Sequence, residues 1–363
     1  MVEICSIGSL LERKRTKAKD QYSNAPVYAV TNNRGFVLSS SLHDFDIFSD
    51  DTSNYMVVSK NDFAYNPSRL NVGSIAYFKE EGNGLISPMY VVFHADENKI
   101  LAEYLYIVIK SEFVRNKIDA LKEVGARFRF DFNRWDLIKI PIPSLEEQNR
   151  IVGILDTFTA SIDNLKEQIA QRRKQYEYYR DQLLDHEGKP GVEMKTLGES
   201  CLIRTGSKPA KILDKGRYCY INAGTTESGY VDESNCDCDV VTTPSRGQGG
   251  IGFVGYQRNA FWLGSLCYQI RPNKKENLKS KFLYYYLSSH TEEILKCKSE
   301  GGTPAVNAVD LKKIIIPLPP LSEQHRIVSI LDTFEATISN LEGQLKEREK
   351  QYEYYRNQLL TFE

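Results

Sequence analysis

Two long stretches of the chain repeat one spacing of hydrophobic positions, in alternating steps of four and three residues. A seam of this period, kept over four to five heptads, is typical of a left-handed coiled coil. Arg172 and Arg348 each occupy a seam position where an apolar residue is expected, and we interpret both as devices that fix the helix register. The other members are Ile151, Leu155, Phe158, Ile162, Leu165, Ile169, Tyr176, Tyr179 and Leu183, and then Ile327, Leu331, Phe334, Ile338, Leu341, Leu345, Tyr352, Tyr355 and Leu359.

The two stretches are copies of one segment. Residues 140–184 match residues 316–360 at a constant separation of 176 positions, without a gap. The two globular parts also begin with similar short sequences, VEICSIG at residues 2–8 and VEMKTLG at residues 192–198, which lie 190 positions apart. The first globular part is therefore longer than the second by 190 − 176 = 14 residues. The chain therefore contains two copies of one unit, a divergent globular part followed by a long helix.

Each globular part alternates short β-type runs with turn signals and then contains a helical stretch. The helical stretches are predicted near residues 103–121 and 281–298. This order indicates an α+β domain. The predicted strands are Val27–Val30, Tyr55–Val58, Ser74–Tyr77 and Tyr90–Phe93 in the first part, and Tyr218–Ile221, Gly252–Gly255 and Leu266–Ile270 in the second.

The lengths of the segments predict how the two helices run. Each helix would be about 60 Å long, whereas a compact domain of about 125 residues has a radius of gyration of only about 14 Å. The second helix must therefore begin near the end of the first, so the pair is antiparallel, with Leu165 and Leu341 near a pseudo-two-fold axis. The predicted boundaries are residues 1–143, 144–187, 188–316 and 317–363.

Composition argues for binding rather than catalysis. The seven cysteines contain no CxxC pair and the five histidines no HExxH motif, and no P-loop occurs. Gly250–Gly255 matches GxGxxG, but the residues that follow do not suggest the helix which that motif must open. We expect no metal site and no catalytic residue on this chain. The absence of a long apolar run predicts a cytoplasmic protein without a membrane span.

Charge is distributed unevenly along the chain. The net charge is −1, yet residues 192–316 carry 17 Lys+Arg against 13 Asp+Glu, while residues 317–363 carry 5 against 8 and residues 1–143 carry 18 of each. The second globular part is therefore the more basic of the two. Charge alone would not nominate the first part as a nucleic-acid binder.

The phrase L-x-E-Q-x-R-I-V-x-I-L-D, at residues 145–156 and again at 321–332, resembles the specificity (S) subunits of type I restriction–modification systems. The resemblance covers essentially the whole chain. It extends to residues 55–77 in the first globular part, and to Arg204–Pro209 and Ser245–Gly250 in the second.

The resemblance implies two target-recognition domains joined by an intramolecular antiparallel coiled coil, with pseudo-two-fold symmetry. Each domain would read one half of a bipartite, gapped site in double-stranded DNA. The helices would set the spacer and dock two methyltransferase (M) subunits, to which restriction (R) subunits are added. S-adenosylmethionine, ATP and magnesium are then expected on the partner subunits and no cofactor on this chain. The alternative is a coiled-coil scaffold whose two heads bind protein partners.

Side chains that can read base edges or phosphates cluster in turn-rich segments of both globular parts. Arginine pairs in a bidentate way with guanine, Asn and Gln pair with adenine, and neighbouring glycines allow close backbone approach. The competing interpretation for each residue is a solvated surface charge or a turn residue. The DNA-binding candidates are Arg13, Lys14, Arg15, Lys17, Asn32, Asn33, Arg34, Asn66 and Arg69 in the first part, and Arg204, Ser207, Lys208, Arg246, Gln248 and Arg258 in the second.

Polar and aromatic residues shared by the two helices are candidates for binding a partner. The alternative for the residues at the helix starts is capping and intrahelical pairing. Tyr178 and Tyr354 fall outside the seam, where a repeated aromatic residue suggests a protein contact. The candidates are Gln148, Arg150, Tyr178, Gln324, Arg326 and Tyr354.

Overall fold

The structure of the protein is a computed structural model. It describes residues 2–22, 24–32, 34–41, 51–121, 128–186, 188–247, 249–299 and 302–362. The chain forms two compact units, Met1–Leu165 with Gln344–Glu363 and Lys166–Gly343. This division differs from the predicted boundaries, because each unit combines a globular head with half of each long helix. The reason is packing: Ile151 and Leu155 belong to the core of the first head, and Ile327 and Leu331 to that of the second.

In the described residues of the first head there are ten strands and two α-helices, and the first long helix, α3, follows them. Its strands are β1 (Glu3–Ser6), β2 (Leu11–Lys14), β3 (Val27–Thr31), β4 (Gly35–Leu38), β5 (Met56–Ser59), β6 (Phe63–Tyr65), β7 (Ile75–Tyr77), β8 (Asn83–Ile86), β9 (Val91–Ala95) and β10 (Lys139–Ile142); the helices are α1 (Ala102–Lys110), α2 (Glu112–Ala120) and α3 (Leu145–Leu184).

The second head repeats this plan, and the second long helix, α8, follows it. Its elements are β11 (Glu193–Thr196), α4 (Leu197–Ser200), β12 (Cys201–Thr205), β13 (Tyr218–Ile221), β14 (Tyr230–Val231), β15 (Val240–Pro244), β16 (Gly255–Gln257), β17 (Trp262–Leu263), β18 (Cys267–Pro272), α5 (Ser280–Ser289), α6 (Thr291–Lys296), β19 (Lys298–Ser299), β20 (Ala305–Val306), α7 (Ala308–Leu311), β21 (Ile315–Leu318) and α8 (Leu321–Leu359).

Both heads are built on the same four-stranded antiparallel sheet. Its order is β2-β9-β6-β7 in the first head and β12-β18-β15-β16 in the second. In each head the shared opening pairs with the proline-containing strand before the long helix, Glu3 with Ile142 and Glu193 with Leu318. The duplication predicted from the sequence is therefore present in the strand pairing.

The core of each head lies between this sheet and its helices. In the first head, rings of Phe63 and Phe93 stack with centroids 5.0 Å apart, and Trp135 is fully buried beside them. In the second head, Ile270 of the sheet is buried with Phe282 of α5. Burial of such large side chains is the main stabilising contribution to either head.

Most of the predicted elements are present. The predicted helices occur, but Ser111 interrupts the first and His290 the second. Ser111 has extended backbone angles and its side chain accepts a hydrogen bond from Val114 N, so it caps α2. The predicted strand at residues 252–255 is wrong: the segment is a turn in which Gly252 has φ +91°, and β16 begins only at Gly255. In the described range 249–299, no helix opens directly after the GxGxxG sequence.

The two long helices pair through their seams in opposite directions. In the first unit, Phe158 of α3 packs on Tyr355 near the end of α8, with ring centroids 5.3 Å apart. In the second unit, Tyr179 near the end of α3 stacks on Phe334, with centroids 5.7 Å apart. The early part of each helix thus meets the late part of the other, which confirms the antiparallel coiled coil.

The two arginines of the seam pack on aromatic rings. The Arg172 guanidinium carbon lies 5.9 Å from the Phe334 ring centroid, and that of Arg348 lies 5.7 Å from the Phe158 centroid. Cation–π contacts of this kind favour one pairing of positions along the helices. The interpretation of both arginines as register-fixing residues stays a prediction. None of the helices in the described ranges has the length and apolar character that crossing a membrane requires.

Candidate nucleic-acid interface

One edge of the sheet in each head collects the loops that carry most of the candidate residues. Strands β2 and β6 are both antiparallel to β9, and β12 and β15 are both antiparallel to β18. The two strands of each pair therefore run in the same direction and end at the same edge of the sheet. Segments 15–17 and 66–69 leave that edge in the first head, and residues 206–208, 245–247 and 249–250 leave it in the second. We call this edge, with these segments, the loop edge of each head.

In the first head a groove joins the loop edge to the turn between β3 and β4. The groove has a volume of about 610 Å³. Four of the candidate residues line it, together with Ser74, Met89 and Tyr90: they are Asn32, Arg34, Asn66 and Arg69. The structure thus brings together candidates that are more than 30 positions apart in the sequence.

The four residues differ in how firmly they are held. Asn66 Oδ1 accepts a hydrogen bond from Ser68 N at 2.9 Å, so this side chain shapes its own loop. Arg34 and Arg69 are exposed, and neither forms an ion pair with any residue that the structure describes. The two guanidinium groups can therefore contact an anion or a base edge.

In the second head, backbone hydrogen bonds connect the corresponding loops. Gly206 N donates to Gly264 O at 3.0 Å, Gly264 N donates to Ile221 O at 2.7 Å, and Ser245 N donates to Leu266 O at 2.9 Å. The segments after β12, β13 and β15 are thus held together by the turn at residues 264–266. They form a hydrogen-bonded platform at the loop edge of the second head.

Glycine is required within this platform. A Cβ on Gly250 would lie 2.1 Å from Ala223 O, and a Cβ on Gly206 would lie 1.8 Å from Leu263 O. The glycines of the two candidate segments therefore permit the loops to pack on each other. The expected role of glycine in letting the backbone approach DNA is not needed to explain these two positions.

Cationic side chains project from the platform. Ser207, Lys208 and Arg246 are exposed, and Ser207 O accepts the indole N–H of Trp262 at 2.7 Å. Arg204 is exposed near the end of β12. Within the described ranges no carboxylate forms an ion pair with the lysine or with either arginine. Three of the cationic side chains of the second head are thus exposed at or near this edge.

The structure separates Arg258 from the other candidates of the second head. Strand β16 runs antiparallel to β15, with Gln257 opposite Val240 and Gly255 opposite Thr242. Arg258 therefore follows the end of β16 at the opposite edge of the sheet from Arg246, because the hairpin reverses the chain between the two arginines. A contact of Arg258 with DNA stays a prediction, and it would have to be made away from the loop edge.

The basic run of the first head is also divided. Lys14 Nζ lies 2.6 Å from Oδ2 of the fully buried Asp62, so its charge is already paired inside the head. Arg13 is exposed, with its guanidinium carbon 5.9 Å from the Phe132 ring centroid. Arg15 and Lys17 are exposed after β2, where Lys17 Nζ donates to Asn54 Oδ1 at 3.0 Å. A contact of Lys14 with DNA stays a prediction and would compete with this ion pair; the other three also remain candidates.

Gln148 and Gln324 are not surface residues. Both are fully buried. The Gln148 amide accepts from Leu101 N and donates to Lys99 O and Pro143 O, each at 2.9 Å. The Gln324 amide makes the matching bonds at 2.8 to 2.9 Å, with Lys279 N, Asn277 O and Pro319 O. The prediction that these two residues bind a partner is wrong, because each ties its long helix to its own head.

The other candidates on the helices remain accessible. Arg150 and Arg326 each form a two-pronged ion pair with the glutamate three residues earlier, at 2.7 Å. This is the intrahelical pairing considered as the alternative. Tyr178 and Tyr354 are 59% and 61% exposed, as their positions outside the seam predict. Their role in binding a partner stays a prediction.

Two candidates, Asn33 and Gln248, lie outside the described residues. Sequence patterns did not point to Lys110, whose ammonium group contacts the loops of the first groove. Sequence patterns also did not select residues 222–224, which pack within the platform of the second head. A signal was present, because these residues are a turn sequence directly after the predicted strand Tyr218–Ile221, just as Asn32 follows the predicted strand Val27–Val30. Among the described residues, no group of three His, Cys, Asp or Glu side chains could hold a metal ion.

The repeated sheet, loop edge and helix anchor define a protein with two copies of one binding domain. The family model for the type I restriction modification DNA specificity domain matches residues 1–172 and again 190–350. The chain therefore belongs to the family of type I restriction–modification DNA specificity subunits, which confirms the resemblance found in the sequence.

Individual relatives agree with this assignment. The chain is 30% identical over 387 residues to the specificity subunit of the Escherichia coli type I restriction enzyme EcoR124I/EcoR124II, covering 95% of this chain and 89% of that protein. It is 33% identical over 253 residues to a putative type I specificity subunit of Haemophilus influenzae, covering 62% and 64%. The crystal structure of an S subunit from M. genitalium has the same fold, with a TM-score of 0.67 and 17% identity over 100% of this chain and 97% of that one.

Proposed function

We propose that the loop edge of each head reads one half of a bipartite DNA site, for a type I restriction–modification enzyme. The observation that supports this most directly is the gathering of exposed arginines, none in an ion pair with a described residue, at or beside the loop edge of both heads. Arg34 and Arg69 line the first groove, and Arg204 and Arg246 lie at or near the second edge. Arginine side chains in such a setting can contact phosphates and guanine edges.

The proposal extends to the partner subunits. The long helices would set the spacing of the two half-sites and dock two M subunits, with Tyr178 and Tyr354 as exposed aromatic contacts. The M subunits would carry S-adenosylmethionine and methylate adenine, and R subunits would add ATP- and magnesium-dependent cleavage. The relatives named above are specificity subunits, which supports this assignment over a scaffold that binds only protein.

The test compares Arg69→Ala and Arg246→Ala in complexes with the M subunit. The target is first found by mapping methylated adenines in cells that carry both subunits. Binding is then measured to a duplex with the intact target and to duplexes substituted in one half-site. Each variant should weaken binding by about 1–3 kcal/mol and relax discrimination in one half-site only, a different half for each variant.

The salt dependence of binding is a second test, and a variant outside the groove is the control. The logarithm of the affinity should fall linearly with the logarithm of the salt concentration, with a slope of about −0.9 for each phosphate that a cationic side chain neutralises. The exposed Lys117→Met variant, altered on α2 and on neither loop of the groove, should bind like the wild type. If the complex of this chain with M binds all duplexes equally, sequence recognition is ruled out and the scaffold interpretation is favoured.

A further inference from the structure

A single lysine behind the groove of the first head connects the two loops that line it. Lys110 is the last residue of α1, and its Nζ donates to Gly73 O at 2.8 Å and to Asn32 O at 3.3 Å. Asn32 belongs to the turn after β3, and Gly73 belongs to the loop after β6. These are the segments that present Arg34 and Arg69 to the groove.

The setting of the ammonium group is unusual for a lysine. Its other neighbours are the Tyr106 ring, with Nζ 5.5 Å from the centroid, and the cation Arg115. No described carboxylate forms an ion pair with it. Burial lowers the pKa of Lys110 to about 8. Removing part of the water around this ammonium group costs free energy in the folded state. A neutral hydrogen-bond donor at this position would connect the two loops at a smaller cost in stability.

The second head does not use this device. The backbone N–H groups of Leu101 and Lys279 each donate to the buried glutamine of their own copy, so α1 and α5 are equivalent helices with a separation of 178 positions. At this separation, Ser288 is the residue of the second copy that is equivalent to Lys110. Ser288 Oγ donates to Tyr285 O of its own helix. The loops of the second head are connected instead by the backbone bonds of residues 264–266. A common structural requirement of the fold therefore does not explain Lys110.

We propose that Lys110 is a positioning residue for DNA recognition by the first head: it sets the distance between Asn32, two residues before Arg34, and the Asn66–Gly73 loop that carries Arg69. Its two donated hydrogen bonds fix the separation of two arginines that lie on different loops. Its charge also adds to the positive potential of the groove, which attracts phosphate. This inference rests on the proposed function of the loop edge.

The test uses the complex of the full chain with M and the target duplex identified by methylation mapping. For each half-site, discrimination is the ratio of the Kd for a duplex substituted in that half to the Kd for the intact duplex. Arg69→Ala and Arg246→Ala show which half each head reads. Lys110→Met should reduce discrimination in the first head's half-site about tenfold, as expected for loss of charged hydrogen bonds, and leave the other half unchanged.

Lys110→Arg, which keeps the charge and more than one donor, should restore most of the discrimination, and the exposed Lys117→Met should have no effect. Should Lys110→Met fail to fold, Lys110→Ala, which also removes every side-chain donor, replaces it in the same comparison. An equal loss in both half-sites, or no loss in either, overturns the inference about Lys110. Absence of sequence-specific binding by the wild-type complex would instead overturn the proposed function itself.

Discussion

Among the described residues, the two long helices are attached to their heads by one contact that both copies share and by one that is present only in the second copy. The buried amides of Gln148 and Gln324 make the same three backbone hydrogen bonds. In the second copy Asp332 also accepts a hydrogen bond from Tyr285 Oη at 2.5 Å and pairs with Lys281 Nζ at 2.7 Å. The matching Asp156 of the first copy forms no ion pair with a described residue.

The difference follows from what each contact must satisfy. A buried backbone N–H or carbonyl without a partner is costly, so a side chain that satisfies three of them can be replaced only with difficulty. The Asp332 side chain is 42% exposed, and water can replace its partners. At the positions of Lys281 and Tyr285 the first copy has Glu103 and Ile107, 178 places earlier. The two copies therefore share the contact that is buried and differ at the exposed contact, where water can replace a side chain as the hydrogen-bond partner.

The largest expected effect comes from removing the shared contact. Gln148→Ala and Gln324→Ala should each lower the free energy of unfolding by about 3 kcal/mol, because three buried backbone groups are left without partners and a cavity forms. Urea denaturation of the two variants measures this. The exposed Gln171→Ala on α3 is the control and should change stability by less than about 0.5 kcal/mol. Destabilisation that differs greatly between the two copies would contradict the view that the contact is equivalent in both.

The hydrophobic periodicity and the lengths of the segments were sufficient to predict the two repeated units and the antiparallel direction of the long helices. The duplication, the seam from Ile151 to Leu183 and the antiparallel pairing depend on features that are visible in one dimension. The sequence also identified four candidates of the first head, although not that they share one groove: Asn32, Arg34, Asn66 and Arg69. That fact depends on the contact of β3 and β4 with β7, which lies more than 35 positions later in the chain.

The sequence was least informative where the side chain's surroundings decide its role. Gln148 and Arg150 belong to one phrase, yet one is buried in the head and the other exposed. Arg258 and Arg246 were nominated together, whereas the hairpin between them places them at opposite edges of the sheet. Lys14 is paired with a carboxylate 48 positions away. Such surroundings cannot be found from local composition, since each is supplied by a distant part of the chain.

A smaller effect is expected from the contact that only the second copy has. Asp332→Ala should lower the free energy of unfolding by about 1.5 kcal/mol, since Lys281 is largely covered and Tyr285 loses an acceptor, while exposure of Asp332 limits the effect. The matched Asp156→Ala should be nearly neutral. Hydrogen exchange of the amides near each aspartate, compared with urea denaturation, measures both changes. Equal destabilisation by the two variants would show that Asp156 has an equivalent stabilising role.

The smallest expected effect on stability comes from a residue shortly after the end of each long helix. There the first copy has His186, and the second copy has Phe362 at the equivalent position, 176 residues later. His186 is only 6% exposed, neither ring nitrogen has a hydrogen-bond partner among the described residues, and its ring lies 6.0 Å from that of Phe282. Burial is the main cause that lowers the pKa of His186; Lys189 lowers it further, while Glu323 and Asp185 oppose the shift.

Because the folded state binds this proton less readily than the unfolded state, the contribution of His186 to stability is present above its unfolded pKa of about 6.5 and is lost as the pH falls toward the lowered folded value. His186→Phe, which introduces the residue of the other copy, should therefore stabilise the protein by up to about 1 kcal/mol and reduce the loss of stability between about pH 7 and pH 5. Urea denaturation at several pH values tests this, with the exposed His325→Phe as control. An unchanged pH dependence in His186→Phe would mean that His186 is already hydrated, and that the two helix ends differ in packing rather than in protonation.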